Sequence, residues 1–329
     1  MKTDSLLSAV CALALLLTGC SKTWHKEQGL VFGTYYSVSY KASESYYDEI
    51  QQAFAEINHS LSTFDAASVI SQINKASTSM LTDSLFRVVY AKACEVSDMT
   101  GGAFDITVAP LVNAWGFGYD PQDNHQDAVI DSIRQFVGYE KIQLQGDMLY
   151  KADPRVKLDC SAIAKGYACD RVAEVLERHG VENYIIDIGG ELRMAGQSPQ
   201  RQKWRIGVNK AVDDPTQTNY EVQAVLSMTD CGVATSGNYR QFYQEGDRRI
   251  AHTIDPRTGY PTQHNVLSVT IFAKDCMTAD AFATACMVLG DTAIFRRLAD
   301  EAKLLVYAIY ADENGEHQDW EYEGKFSTK

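Results

Sequence analysis

The chain has 329 residues, 45% hydrophobic and 22% charged, a balance that supports one or two globular domains and excludes disordered and collagen-like classes. Its formal net charge of -13 argues against a nucleic-acid binder and against attraction to anionic headgroups, so an anionic substrate would need a local cation.

The first twenty residues hold a short apolar run, Leu13-Ala-Leu-Leu-Leu17, ending in Thr18-Gly19-Cys20. The run is too brief to span a bilayer and reads as an export signal. Its ending resembles a bacterial lipobox. Residues 1–19 are then a lipoprotein signal peptide, Cys20 is the acylated first residue of the mature chain, and residues 20–30 are a polar, lipidated tether. The expected location is outside the cytoplasm, lipid-anchored to a bacterial membrane on its periplasmic side; a plainly cleaved signal or a stray apolar tail is the alternative. Cys94, Cys160, Cys169, Cys231, Cys276 and Cys286 show no CxxC spacing, which speaks against zinc and thioredoxin-like chemistry.

No repeat or long linker divides the remainder, so one folded unit is expected over residues 31–325. Thr34 to Tyr40 alternates as a strand, and Ile50, Phe54, Ile57 and Leu61 put a helix over Tyr46 to Leu61. Leu81 to Thr100 predicts a second helix, closed by Gly101-Gly102, and Ile163 to His179 a third, stopped at Gly180. Strands are expected at Tyr184–Ile188, Leu192–Ala195, Trp204–Val208, Val222–Met228, Leu267–Phe272 and Leu304–Tyr310, with a helix at Thr278–Leu289. Without strict βαβ alternation, the fold class is α+β, with mixed or antiparallel sheets packed against helices and no Rossmann fold.

Five segments carry candidate chemistry. Asp280 and Thr284 stand one helical turn apart on an apolar helix, so two hard oxygen donors face one way, as suits Mg²⁺ held by few protein ligands and substrate phosphates. The alternative is an Asp satisfying the helix dipole and a Thr bonded to its own helix backbone. Thr100 to Pro110 and Trp115 to Gly118 are either a helix cap or a backbone-lined slot for a planar ring. Leu158 to Asp170 reads as a strand entering a helix whose first turn carries Lys165, a place that attracts phosphate although GxxxxGK[ST] and GxGxxG are both missing. Ile188-Gly-Gly-Glu191 is a bend or a ligand contact. Ser236-Gly-Asn-Tyr239 precedes His252 and the turn-rich Asp255-Pro-Arg-Thr-Gly259, where a histidine serves as a structural group or a general base.

In this order TGGAFDITVAP, LDCSAIAKGYACD, DIGGELRMAG, SGNY, HTIDPRTGYP and ADAFATACMVLG resemble the ApbE family of FAD:protein FMN transferases, over roughly residues 30–310. The resemblance implies an ApbE-like, T-fold-like architecture. It also implies Mg²⁺-dependent transfer of FMN from FAD, through a phosphoester, to a Thr or Ser hydroxyl of an acceptor flavoprotein, with release of AMP. By the same resemblance Asp280, Thr284 and the Ala162 carbonyl would hold the metal, and Lys165 would sit against the FAD phosphates. Phe32, Phe64, Ala103, Phe104, Asp105, Asp159, Thr253 and Ile254 would line the FAD site, and His252 would take the acceptor's proton. An FAD pyrophosphatase with water as acceptor, and a flavin-binding lipoprotein without chemistry, are the competing expectations.

Overall fold

The computed structural model describes residues 21–327 except 123, 213–220, 239–241 and 247. The expected signal peptide, Cys20 and Tyr239 lie outside the described residues.

An eight-stranded antiparallel sheet organises the chain. Its strands are β1 (Thr23–Val31), β2 (Thr34–Ala42), β6 (Tyr184–Ile188), β7 (Glu191–Ala195), β10 (Cys231–Gly237), β13 (Val266–Ala273), β14 (Leu305–Ala311) and β15 (His317–Glu323), adjacent in that order. The period-two side-chain alternation of strands gives the sheet two apolar faces. Val38, Tyr40, Tyr184, Ile186 and Ile188 pack with helices α1 (Tyr47–Leu61), α6 (Ser161–Arg178) and α7 (Cys276–Leu289) in the main core. Met194, Val233, Phe272 and Leu305 face the other way, against Trp204 and Ile206 of the ribbon β8 (Trp204–Asn209) and β9 (Val222–Met228).

Smaller elements surround this sandwich. Helix α2 (Val69–Lys75) leads to β3 (Ser79–Leu81), which joins β4 (Ile142–Gln145) and β5 (Met148–Lys151) in the order β3-β5-β4. Helix α3 (Ser84–Thr100) is capped by the Asp83 carboxylate, which accepts the Phe86 N–H at 2.7 Å, and ends at Gly101 in the left-handed region. Helices α4 (Ala109–Ala114) and α5 (Asp127–Arg134), with the hairpin β11 (Phe242–Glu245) and β12 (Arg248–Ala251), form a satellite core around Leu111, Trp115, Ile130 and Ile254. Helix α8 (Thr292–Ala302) precedes β14.

Helix α7 is apolar on nearly all sides because it is wedged between α6 and the sheet. Each large side chain it buries, Phe282 for example, contributes about 1.5–3 kcal/mol. Two close approaches set its position. A Cβ on Gly166 of α6 would lie 2.4 Å from the Cys276 carbonyl oxygen, and one on Gly232 of β10 would lie 2.2 Å from the Cys276 nitrogen. The α7 amino end is also pinned, because Asp170 on α6 accepts the Cys276 and Met277 N–H groups at 2.9 and 2.8 Å.

Several expectations are corrected. Residues 23–30 are no tether: they belong to edge strand β1, paired with β2 from Thr23↔Ala42 to Val31↔Thr34, and the fold therefore starts before residue 31. None of the β1 side chains is fully buried, and the polar run His25-Lys-Glu-Gln28 leaves its pattern faint. Leu81 lies in β3 rather than in a helix. Residues before α6 form only an isolated bridge, Val108↔Lys157, and α6 begins at Ser161, so Lys165 sits in its second turn. Strand β10 was not expected at all, since Ser236-Gly-Asn-Tyr239 reads locally as a loop.

Candidate active site

A cavity of about 1300 Å³ opens where β6 bends into β7. This exceeds the roughly 300–1,000 Å³ of common small-ligand pockets and suits a dinucleotide. Every residue expected at the site lies on its wall: Phe32, Phe64, Ala103, Phe104, Asp105, Asp159, Ala162, Lys165, His252, Thr253, Ile254, Asp280 and Thr284.

Asp280 and Thr284 rise from α7 on the side facing α6. Asp280 is in the second turn of α7, whose N-cap is Asp275, so satisfying the helix dipole is not its role. Only 5% exposed, it accepts the Gly166 N–H through Oδ2 at 2.9 Å. Helical geometry aims that same N–H at the Ala162 carbonyl four residues earlier. Asp280 thus competes for the donor and leaves acceptor capacity on the Ala162 oxygen. Thr284 is half-buried and bonds to no helix carbonyl among the described residues, so its hydroxyl is available to the cavity.

Lys165 reaches across to Glu191, the first residue of β7, with Nζ 2.8 Å from Oε1. Burial alone would depress this lysine, but attraction to Glu191 and Asp280 outweighs it and holds the ammonium above its ordinary value. Burial pushes Glu191 up, to about 7, against the pull of Lys165. Burial likewise raises Asp280, opposed by Lys165 and the Gly166 N–H. Two carboxylates thus share one ammonium, and Glu191 Oε2 is buried with no hydrogen-bond partner. A surplus of negative charge on hard oxygen donors fits a hard cation. Among the described residues no group of three or more His, Cys, Asp or Glu is placed to hold a metal, so such a cation would take few side-chain ligands.

Other walls differ in how their residues act. Phe32 and Gly33 form the two-residue turn of the β1–β2 hairpin, with φ of 51° and 75°, which sets the Phe32 ring edge-on to Phe54 at 5.9 Å. Phe64 is 84% exposed at the mouth. Ala103 and Phe104 are buried, and Ser97 Oγ donates to the Phe104 carbonyl. Asp105 is on the wall, but its carboxylate is already committed. Oδ1 accepts the Thr107 N–H and hydroxyl and Oδ2 the Tyr139 N–H, each at 2.7 Å, so the carboxylate ties this wall of the cavity to residue 139. Asp159 similarly holds the start of α6 through the Ser161 N–H at 2.8 Å.

His252 is half-buried, edge-on to Phe117 at 6.3 Å, and enters the cavity beside Thr253, whose hydroxyl donates to Asn238 Oδ1 at 2.6 Å. The following loop is fixed from outside: Trp115 Nε1 donates to the Gly259 carbonyl at 2.8 Å, Arg134 to the Arg257 carbonyl at 2.9 Å, and Asp255 chelates Arg257. Trp115 therefore braces the loop, and of the Trp115–Gly118 segment it is the Phe117 ring that lies on the cavity wall. Sequence reasoning gave Glu191 only as part of a bend or ligand contact, with no charge-pairing role, and gave no place to Arg205. The first was marked in sequence only by the preceding glycines; the second, on β8, lines the cavity with no acidic partner among the described residues.

The ApbE family's sequence profile matches residues 32–308. This chain belongs to the ApbE family. It is 36% identical over 323 residues to the FAD:protein FMN transferase of Haemophilus influenzae, covering 92% of each chain, and 36% identical over 294 residues to that of Vibrio cholerae, covering 85% of this chain and 86% of the relative. Among solved structures it is similar to the flavin transferase ApbE from Vibrio cholerae, with TM-score 0.80, 33% identity and coverage of 93% and 98%. The apo form of the Pseudomonas stutzeri flavinyl transferase ApbE follows, with TM-score 0.79, 28% identity and coverage of 92% and 95%. The α+β sandwich described above is thus the ApbE fold.

Proposed function

We propose that this chain transfers FMN from FAD to an acceptor protein, with Mg²⁺, forming a phosphoester on a Thr or Ser hydroxyl and releasing AMP. The observation that carries the reading is the convergence of His252, the Lys165–Glu191 pair, Asp280 and Thr284 on one dinucleotide-sized cavity.

The acceptor oxygen attacks the FMN-side phosphorus, the bond from that phosphorus to the AMP oxygen breaks, and AMP leaves with the bonding electrons. His252 takes the hydroxyl proton, a role worth about a hundred- to ten-thousandfold in rate. Lys165, steadied by Glu191, offers its ammonium to phosphate oxygens. Asp280, Thr284 and the Ala162 carbonyl would hold Mg²⁺, which when bound supplies neutralisation of phosphate charge. Phe32, Phe64 and Phe117 present rings for stacking.

Export and a lipid anchor at Cys20 belong to the same reading. No helix among the described residues is long and apolar enough to cross a membrane. Since β1 begins at Thr23, an anchor at Cys20 would hold the fold close against the bilayer with almost no spacer.

The test is co-expression with a candidate exported flavoprotein, followed by mass spectrometry of that protein and measurement of AMP. Wild type adds one FMN per acceptor, and His252→Ala retains FAD binding but loses the adduct. Free FMN and AMP with no adduct would instead mean water is the acceptor.

A further inference from the structure

The sheet is incomplete where it meets the cavity. Strand β7 pairs with β10 only through Cys231↔Met194, Gly232↔Arg193 and Val233↔Leu192, whereas β10 stays paired with β13 as far as Gly237↔Ser268. From Ala234 to Gly237, β10 therefore has a strand neighbour on one side only among the described residues. The missing neighbour would be β7 itself, which instead folds back into β6 through Gly189 and Gly190, with φ of 65° and 101°.

Backbone direction follows from the pairing. The Asn238 N–H donates to the Leu267 carbonyl at 3.1 Å, which turns residue 238 toward β13. Antiparallel pairs alternate, so Ser236 and Ala234 also bond toward β13, while Thr235 and Gly237 aim N–H and C=O at the open side. The 2.8 Å contact between the Thr235 and Thr270 hydroxyls agrees, because side chains come closest at non-hydrogen-bonded pairs. Thr235, Ser236 and Gly237 line the cavity consecutively. A strand seen face-on would contribute alternate residues, so the cavity meets this one edge-on.

We propose that the hydroxyl-bearing segment of the acceptor enters as an added β-strand along this edge, hydrogen-bonding to Thr235 and Gly237. The proposal rests on the transferase reading and adds how the acceptor is recognised. A cavity that must also hold FAD admits an extended segment rather than a folded surface, and each backbone group such a segment buries without a hydrogen-bond partner is costly. The open edge supplies those partners without reference to side chains, as in other strand-addition sites. Across the slot Gly190 has nothing within 4 Å of where a Cβ would be, so that wall leaves open space facing the edge.

The probe is a synthetic peptide spanning the Thr or Ser that gains FMN in the co-expression experiment, N-methylated at one backbone nitrogen at a time. With full-length enzyme, kcat/KM for FMN transfer should fall about tenfold, the worth of about 1.4 kcal/mol, at two positions separated by a tolerant one, with KM for FAD unchanged. Equal tolerance at every position, or losses without alternation, would overturn the proposal. Competition between the unmodified peptide and FAD would also overturn it, by assigning the edge to the dinucleotide. AMP release with no adduct on the unmodified peptide or on the intact acceptor would remove the transferase reading itself, and strand addition with it.

Discussion

Gly166→Ala tests whether the contact between α6 and α7 builds the site. In an exposed helix interior this change is stabilising by about 1 kcal/mol, since alanine is the better helix former. Here the new Cβ would lie 2.4 Å from the Cys276 carbonyl oxygen, 2.8 Å from its carbon and 2.7 Å from the Asp280 Cβ. The first two are backbone atoms of a helix end already fixed by Asp170 and Asp275, so they cannot swing aside. Overpacking of this kind costs about 1–3 kcal/mol, enough to cancel the propensity gain and leave a net loss of up to about 2 kcal/mol. Calorimetry should then show Tm lower by up to about 8 °C, with none of the rise that the propensity gain alone would give. Separating the helices also moves Asp280 off the Gly166 N–H, and a misplacement of about 1 Å can cost about a hundredfold in rate. FMN transfer at saturating FAD is the second readout. A variant with Tm at or above wild type and undiminished transfer would refute the claim that this close approach positions Asp280.

Three further outcomes are expected. Phe64→Ala should change stability by no more than about 0.5 kcal/mol, because the ring is 84% exposed, while weakening FAD binding severalfold by flavin fluorescence titration; unchanged affinity would take Phe64 out of the site. Added Mg²⁺ with FAD should raise the Tm of wild type through linkage but not that of Asp280→Asn, and an equal rise in both would remove Asp280 as a ligand. Burial, with Asp275 nearby, pushes Asp170 up to about 7, and burial pushes Asp105 up to about 6. Both are raised above their ordinary value, so the stability they contribute is full below about pH 4 and lost as pH climbs through about 6 to 7. Metal-free Tm should accordingly decline between about pH 5 and pH 7.5, and a rise across that interval would contradict the assignment.

The helix from Tyr47 to Leu61 and the strand from Val222 to Met228 were legible because side-chain period alone reports them. The strand β10 was not. It is apolar only from Cys231 to Ala234, and its end at Ser236-Gly237 looks like a turn until β13 lies beside it. Strand β1 was hidden because its middle, His25-Lys-Glu-Gln28, is a run of polar residues that offers no apolar alternation to read.

The sequence by itself determined which chemical groups the chain carries: a carboxylate and hydroxyl one turn apart at Asp280 and Thr284, a lysine near a helix start, a histidine before a rigid turn. Motif order along the chain pointed to their joint use. Only the tertiary structure decided what each group does. Asp280 and Gly166 meet across 114 residues of sequence, and Lys165 and Glu191 across 26, so no local periodicity encodes either contact. Asp105, equally conspicuous as an acid in a motif, proved to be occupied by two donors of Thr107 in its own loop and by the Tyr139 N–H from 34 residues away. Whether a buried carboxylate is left free for a ligand or satisfied by the chain depends on donors brought near by packing, and that is set when α6, α7 and the sheet close together.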